Sequence, residues 1–138
     1  MGRKSDLIKS GAYRLHPAEI EAVIAVPDLS TWYGRRDRAM LVVALQTGLR
    51  VSELINLACG DVALGAGAHV RCTGKGRKER CLPLWKETAS DLRAWLAVRG
   101  NVCGPELFVN AEGQPMTRAG FEYILAKHSQ AAAKVCPS

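Results

Sequence analysis

The sequence has no C-x-x-C pair, no two histidines close together, no apolar run of membrane-spanning length and no internal repeat or low-complexity linker. Each absence removes a class of function. The five cysteines, Cys59, Cys72, Cys81, Cys103 and Cys136, are odd in number and unpaired in spacing. They suggest neither a disulfide framework nor a zinc site, and read as the reduced thiols of a cytoplasmic protein. His16, His69 and His128 lie far apart and have no Cys or acidic neighbour at ligand spacing, so neither a metal nor another cofactor is expected. A membrane span needs roughly 20 predominantly apolar residues, and none is present. The opening "MGRKSDLIKS" lacks the apolar centre of a secretory signal.

What is present starts with basic charge. The 138 residues, one domain's worth, carry 19 Lys and Arg against 13 Asp and Glu, a net +6. The excess is local: Arg71, Lys75, Arg77, Lys78 and Arg80 against Glu79 give +4 within residues 71 to 80. Such a cluster suits a polyanion and is equally compatible with a solvated hairpin tip.

Periodicity predicts a mainly α fold with one small antiparallel β-hairpin or sheet, an α+β chain. Residues 1 to 14 are polar and poorly patterned, a flexible lead. "HPAEIEAVIAV" is a first helix, with Pro17 in its opening turn, Glu19 and Glu21 near the positive end of its dipole, and Ile20, Val23 and Ile24 in one stripe. "PDLSTWYGRR" reads as a connection. "RDRAMLVVALQTG" reads as a second helix, apolar all round from Met40 to Leu45 and stopped by Gly48. In "AHVRCTGKGRKERCLPL" the period falls to two, and Gly74 and Gly76 permit a tight turn with Lys75 at or beside its tip. "KETASDLRAWLAVRG" is amphipathic, Leu107 to Val109 reads as a short strand, and Thr117 caps a last helix that sets Phe121, Ile124, Leu125 and His128 on one face.

One arginine stands out. In "LQTGLRVSELINL" Arg50 sits between the helix ending at Thr47-Gly48 and a short helix beginning near Ser52. A guanidinium whose backbone is fixed on both sides is preorganised, and its planar fork matches two phosphate oxygens. The plainer reading is that Arg50 caps the carbonyls at Gly48 or pairs with Glu53.

"TGLRVSEL" followed by "TGKGRKER", with Lys75 25 positions after Arg50, resembles the catalytic domain of the tyrosine recombinase (phage integrase) family. The flanking text from "HPAEIEAVIAV" to "LFVNAEGQPMTRAGFEYILAKHSQAAAK" is similar too, so the resemblance covers about residues 15 to 134. It implies that Arg50 binds the scissile DNA phosphate and stabilises its pentavalent transition state. Lys75 would protonate the departing 5′ oxygen, and Glu53 would steady the site or merely stabilise its helix. Arg71, Arg77, Lys78 and Arg80 match no catalytic position and would touch the DNA backbone.

The same resemblance calls for a His-x-x-Arg segment and then a tyrosine nucleophile. No His-x-x-Arg occurs in the 138 residues, and Tyr13, Tyr33 and Tyr123 all precede the place where the nucleophile belongs. Residues 15 to 138 are therefore expected to be a partial recombinase catalytic domain, a fragment related to DNA integration and recombination that binds duplex DNA and is inactive alone. The alternative is a non-enzymatic DNA-binding or regulatory module that pairs with a full-length recombinase. In a whole domain later helices would cover Met40 to Leu45 and the face bearing Phe121, Ile124 and Leu125. Here that surface is expected to be exposed and to drive a homodimer or higher oligomer.

Overall fold

A computed structural model of the chain describes residues 16–100 and 104–135, and the expected lead, residues 1 to 14, lies outside them. Five helices and a three-stranded antiparallel sheet are built from these residues. Helix α1 is Pro17–Ala25; its proline gives up an N–H that the first turn would leave unpaired anyway, and Glu19 accepts the His16 N–H at 3.0 Å. Ile20 and Val23 are its buried stripe.

Helix α2, Trp32–Thr47, starts four residues before the expected arginine, inside the stretch read as a connection. The Thr31 hydroxyl accepts the Gly34 N–H at 2.9 Å, a side-chain N-cap. A Cβ at Gly34 would lie 1.7 Å from the Asp28 carbonyl oxygen, so the turn before the helix can fold back only onto glycine. The helix ends as expected: Gly48, at φ 73°, turns left-handed and gives its N–H to the Ala44 carbonyl. A short helix α3, Val51–Ile55, follows at once, then a 3₁₀ turn at Cys59–Asp61.

Strands β1 (Val62–Ala63), β2 (His69–Thr73) and β3 (Glu79–Pro83) form the sheet in sequence order, with Val70 opposite Leu82 and Cys72 opposite Arg80. Val70 and Cys72 point into the core while Arg71 and Thr73 face solvent, the alternation read from the sequence. The hairpin base is fastened to α2 by Gln46, whose amide donates to the Pro83 carbonyl and accepts the Trp85 N–H, each at 3.0 Å. Helix α4, Lys86–Arg99, packs on α2, and helix α5, Arg118–Val135, packs on α1.

Two expectations are corrected. Leu107, Phe108 and Val109 form no strand; their segment threads the core through single bridges at Glu106 and Val109. Its backbone is satisfied instead by the Leu57 carbonyl, the Met116 N–H and the Trp95 indole. Nor is the expected apolar surface exposed. Met40 to Leu45 are buried by α4, α1 and the threaded segment, and Phe121 and Ile124 are 0% and 3% exposed. Chain elements present here already cover both faces, so the exposed surface from which an oligomer was expected is absent among the described residues. No helix of the described residues is long and apolar enough to cross a membrane.

Candidate functional site

Arg50 is the N-cap residue of α3, extended at φ −66° and ψ 155°. Its backbone N–H donates to Glu53 Oε1 at 2.9 Å, the return half of a capping box. The fixed backbone anticipated at this junction is therefore present. Its side chain is exposed, and among the described residues its guanidinium has no carboxylate partner. The pairing with Glu53 that competed with a phosphate role does not form.

Glu53 is engaged twice. While Oε1 caps the helix, Oε2 accepts from the Arg80 guanidinium at 2.7 Å. Glu53 is 11% exposed at the side chain and Arg80 49%. The same Arg80 nitrogen lies 3.6 Å from Cys72 Sγ. Burial pushes the Cys72 thiol up, and the Glu53 and Asp61 charges push it further, against an opposing pull from Arg80. Cys72 is thus a neutral packing group, not a nucleophile.

Beyond Thr73 the hairpin closes over five residues. Gly74 donates its N–H to the Lys78 carbonyl, and Arg77 donates its own to the Gly74 carbonyl. The turn needs Gly76 at φ 78° and holds Arg77 at φ 60°. Lys75 begins this tip, as the sequence spacing predicts. Arg77 and Lys78 are exposed there, whereas Arg71 leans toward Asp61 at 3.8 Å and Glu79 at 3.6 Å. The four arginines and lysines grouped as backbone contacts thus divide: two are exposed at the tip with no ion-pair partner among the described residues, one is loosely paired, and Arg80 turns back onto α3.

Between α3 and the hairpin lies a half-open cleft of about 330 Å³ lined by Arg50, Glu53, Asp61 and Arg71 among others. Among the described residues no tyrosine lines it. Tyr33 and Tyr123 are exposed elsewhere, at 52% and 67%. The cleft offers one exposed, backbone-fixed guanidinium beside a lysine-bearing tip, an arrangement suited to holding a phosphodiester and supplying positive charge to it.

A second charged cluster escaped the sequence reading. Asp37, 1% exposed, accepts from Arg36 at 2.9 Å and lies 2.8 Å from His128 Nε2, with Lys127 Nζ at 3.8 Å. Burial alone would raise the Asp37 carboxyl. The hydrogen bond from His128 and the charge and hydrogen bonds of Arg36 outweigh it, and the pKa falls below its ordinary 3.8. His128 Nδ1 is buried without a partner. The available signal was a histidine on an apolar helix face together with an Arg-Asp pair opening an apolar helix.

The sequence pattern of the phage integrase family matches residues 13–135. Over 120 residues the chain is 48% identical to an integrase/recombinase of Sinorhizobium fredii, covering 87% of this chain and 36% of that protein. It is 39% identical over 123 residues to the tyrosine recombinase XerD of Ralstonia nicotianae, covering 86% of this chain and 40% of the relative. The chain thus spans well under half the length of these relatives. The crystal structure of XerA recombinase shares the fold, with TM-score 0.74 at 23% identity, over 86% of this chain and 42% of that one. That of XerH site-specific recombinase bound to difH substrate, a pre-cleavage complex, matches with TM-score 0.73 at 27% identity, over 86% and 36%.

Proposed function

Because the chain belongs to the phage integrase family, we propose that it contributes the first arginine and the hairpin lysine of a tyrosine recombinase site and binds duplex DNA through phosphates. The observation that carries this reading is Arg50: a guanidinium with a fixed backbone, no carboxylate partner among the described residues, and the Lys75-bearing hairpin beside it. Arg50 would hold the non-bridging oxygens of the scissile phosphate and offset the charge that develops on them. Lys75 would donate a proton to the 5′ oxygen as its bond to phosphorus breaks. Glu53 keeps Arg50 in register by capping α3 and would not touch the DNA. The proposed place of action is the cytoplasm.

Strand cleavage needs a tyrosine nucleophile and a second arginine, and the 138 residues contain no His-x-x-Arg. Cleavage is therefore proposed only together with a segment that supplies both. Among the described residues no tyrosine lines the cleft, which favours a second reading for these residues on their own, a DNA-binding module that pairs with a full-length recombinase. A homodimer is not part of the proposal, since the apolar faces it would have used are covered.

Titration of a labelled duplex at several salt concentrations tests the shared part. About four phosphate contacts, from Arg50, Lys75, Arg77 and Lys78, give a log–log salt slope of about −4. Absence of binding at low salt removes the proposal. A suicide duplex that traps covalent intermediates separates the two readings. The chain alone is expected to form no adduct, and adding a segment with His-x-x-Arg and tyrosine is expected to restore one if the site is shared.

A further inference from the structure

The sequence groups Arg80 with the tip cations, and its geometry sets it apart. Directly opposite Cys72, it extends from the core-facing side of β3, and its guanidinium reaches across to Glu53 on α3. Glu53 in turn caps the backbone of Arg50. Gly74, the first residue of the tip, is pressed against the same pair: a Cβ there would lie 3.1 Å from Glu53 Oε2 and 3.7 Å from Arg80 Nε. An unbroken set of contacts thus runs from the Arg50 N–H through Glu53 and Arg80 to the start of the loop that carries Lys75.

Besides the core packing of Val70 and Cys72, two side-chain hydrogen-bonding groups among the described residues fasten the hairpin to the helices. Gln46 holds its base at Pro83 and Trp85, and Arg80 holds it near the tip. A strand rises about 3.3 Å per residue, so the three positions from Pro83 to Arg80 put the fastenings about 10 Å apart. Without Arg80 the hairpin beyond the buried Val70 and Cys72 would lose its tie to α3, and the backbone at Lys75 would move relative to Arg50.

We propose that Arg80 is a positioning residue rather than a DNA contact: its ion pair with Glu53 clamps the hairpin to the N-cap of α3 and fixes the spacing between Arg50 and Lys75. The proposal rests on the reading of those two residues as partners at one phosphate, while the clamp itself exists without DNA. Two features favour clamp over contact. Arg80 already has an anionic partner, which offsets its charge and turns its guanidinium toward α3. Its partner is one of the least exposed carboxylates of the site, so releasing Arg80 would leave the largely buried Glu53 Oε2 without its cation.

Two measurements on the full 138-residue chain test it. Without DNA, amide exchange across residues 72–80 is followed by mass spectrometry for the parent, Arg80→Gln, Glu53→Gln and the double variant. Glu53→Gln keeps an oxygen for the Arg50 N–H and loses the charge. Each single variant is expected to exchange about fivefold faster in this segment, and the double variant no faster than either single, because both remove one interaction. Arg80→Lys is expected to recover part of the protection. Unchanged exchange, or additive effects of the two singles, overturns the clamp. With a labelled duplex, Arg80→Gln is expected to weaken binding about threefold at every salt concentration and leave the salt slope as it is. A slope reduced by about 0.9 would make Arg80 a phosphate contact and overturn the proposal. A parent chain that binds no DNA would sink the proposed function, yet the exchange measurement would still decide whether Arg80 clamps the hairpin.

Discussion

Two charged clusters of similar size behave in opposite ways. Around Asp37 the Arg36 guanidinium and the His128 ring are turned inward onto one buried carboxylate between α2 and α5, with only Lys127 reaching it from the half-exposed rim. Around Arg50 the order is reversed: carboxylates are spent on the backbone of α3 and on Arg80, and Arg50, Arg77 and Lys78 are left facing solvent. The first cluster is a device for joining helices. The second keeps cations available. The difference teaches that charge count says little about role; what matters is whether a charge already has a partner when the chain is folded.

The largest effect expected from breaking this contrast is on the buried side. Asp37→Ala leaves Arg36 and His128 without their shared acceptor in a low-dielectric site, and removing one member of such a group typically costs about 3–5 kcal/mol. Denaturant unfolding should show that loss, while the salt slope of DNA binding by the folded fraction stays as in the parent. A loss below about 1 kcal/mol would show that the cluster is solvated and that the contrast is false.

On the exposed side the expected cost moves from stability to chemistry. Arg50→Ala removes an exposed side chain and should change unfolding free energy by no more than about 0.5 kcal/mol. In cleavage reconstituted with a segment bearing His-x-x-Arg and tyrosine, the same change should slow strand scission by about 100- to 1000-fold, the usual loss for one charge-stabilising donor. Lys75→Ala should slow it too, and a substrate whose 5′ leaving group is sulfur, which needs no proton, should restore the rate. Without that rescue Lys75 is a backbone contact like Lys78.

Acid sharpens the comparison further. The Asp37 pKa is lowered in the folded chain, so its contribution to stability is complete above the unfolded value of 3.8 and is lost as pH falls from there through the lower folded value. The stability gap between the parent and Asp37→Asn should therefore shrink as pH falls below about 4. A gap that widens on acidification would contradict the direction of the shift.

How far each cluster was legible follows from the physics that marks it. Arg50, Glu53 and the hairpin were readable because local rules announce them: a glycine stop, an N3 acid, period-two alternation and glycines at a turn. The start of α2 was missed because its cap is a threonine hydroxyl after a polar stretch, a weaker signal than the apolar run that follows. The Leu107–Val109 segment looked like a strand because buried threads and strands share apolar composition. Asp37 and His128 lie 91 positions apart, and no local pattern couples them. The direction of Arg80 depended on strand register, which charge clustering does not carry. The expected exposed patch failed for a related reason: α4, α1 and the threaded segment close over α2 without help from later helices.

The smallest expected effect tests whether the free cations at the tip are there for DNA. Arg77 is held at φ 60°, the left-handed region that an L-residue enters at a cost of about 1 kcal/mol. Glycine would remove that cost, yet it loses about 0.5–1 kcal/mol more backbone freedom on folding, so the two nearly cancel. Arg77→Gly should thus leave stability within a few tenths of a kcal/mol of the parent, and Arg77→Ala, which keeps the backbone cost, should match it closely. Stability therefore gives no reason for an arginine here. If the guanidinium meets a phosphate, both variants should lower the salt slope of duplex binding by about 0.9, as should Lys78→Ala, whose residue has ordinary backbone angles. A slope unchanged in all three would make the tip a solvated turn and leave Arg50 and Lys75 as the only phosphate ligands. A change in Lys78→Ala alone would show that the strained residue serves the shape of the loop and its neighbour serves the DNA.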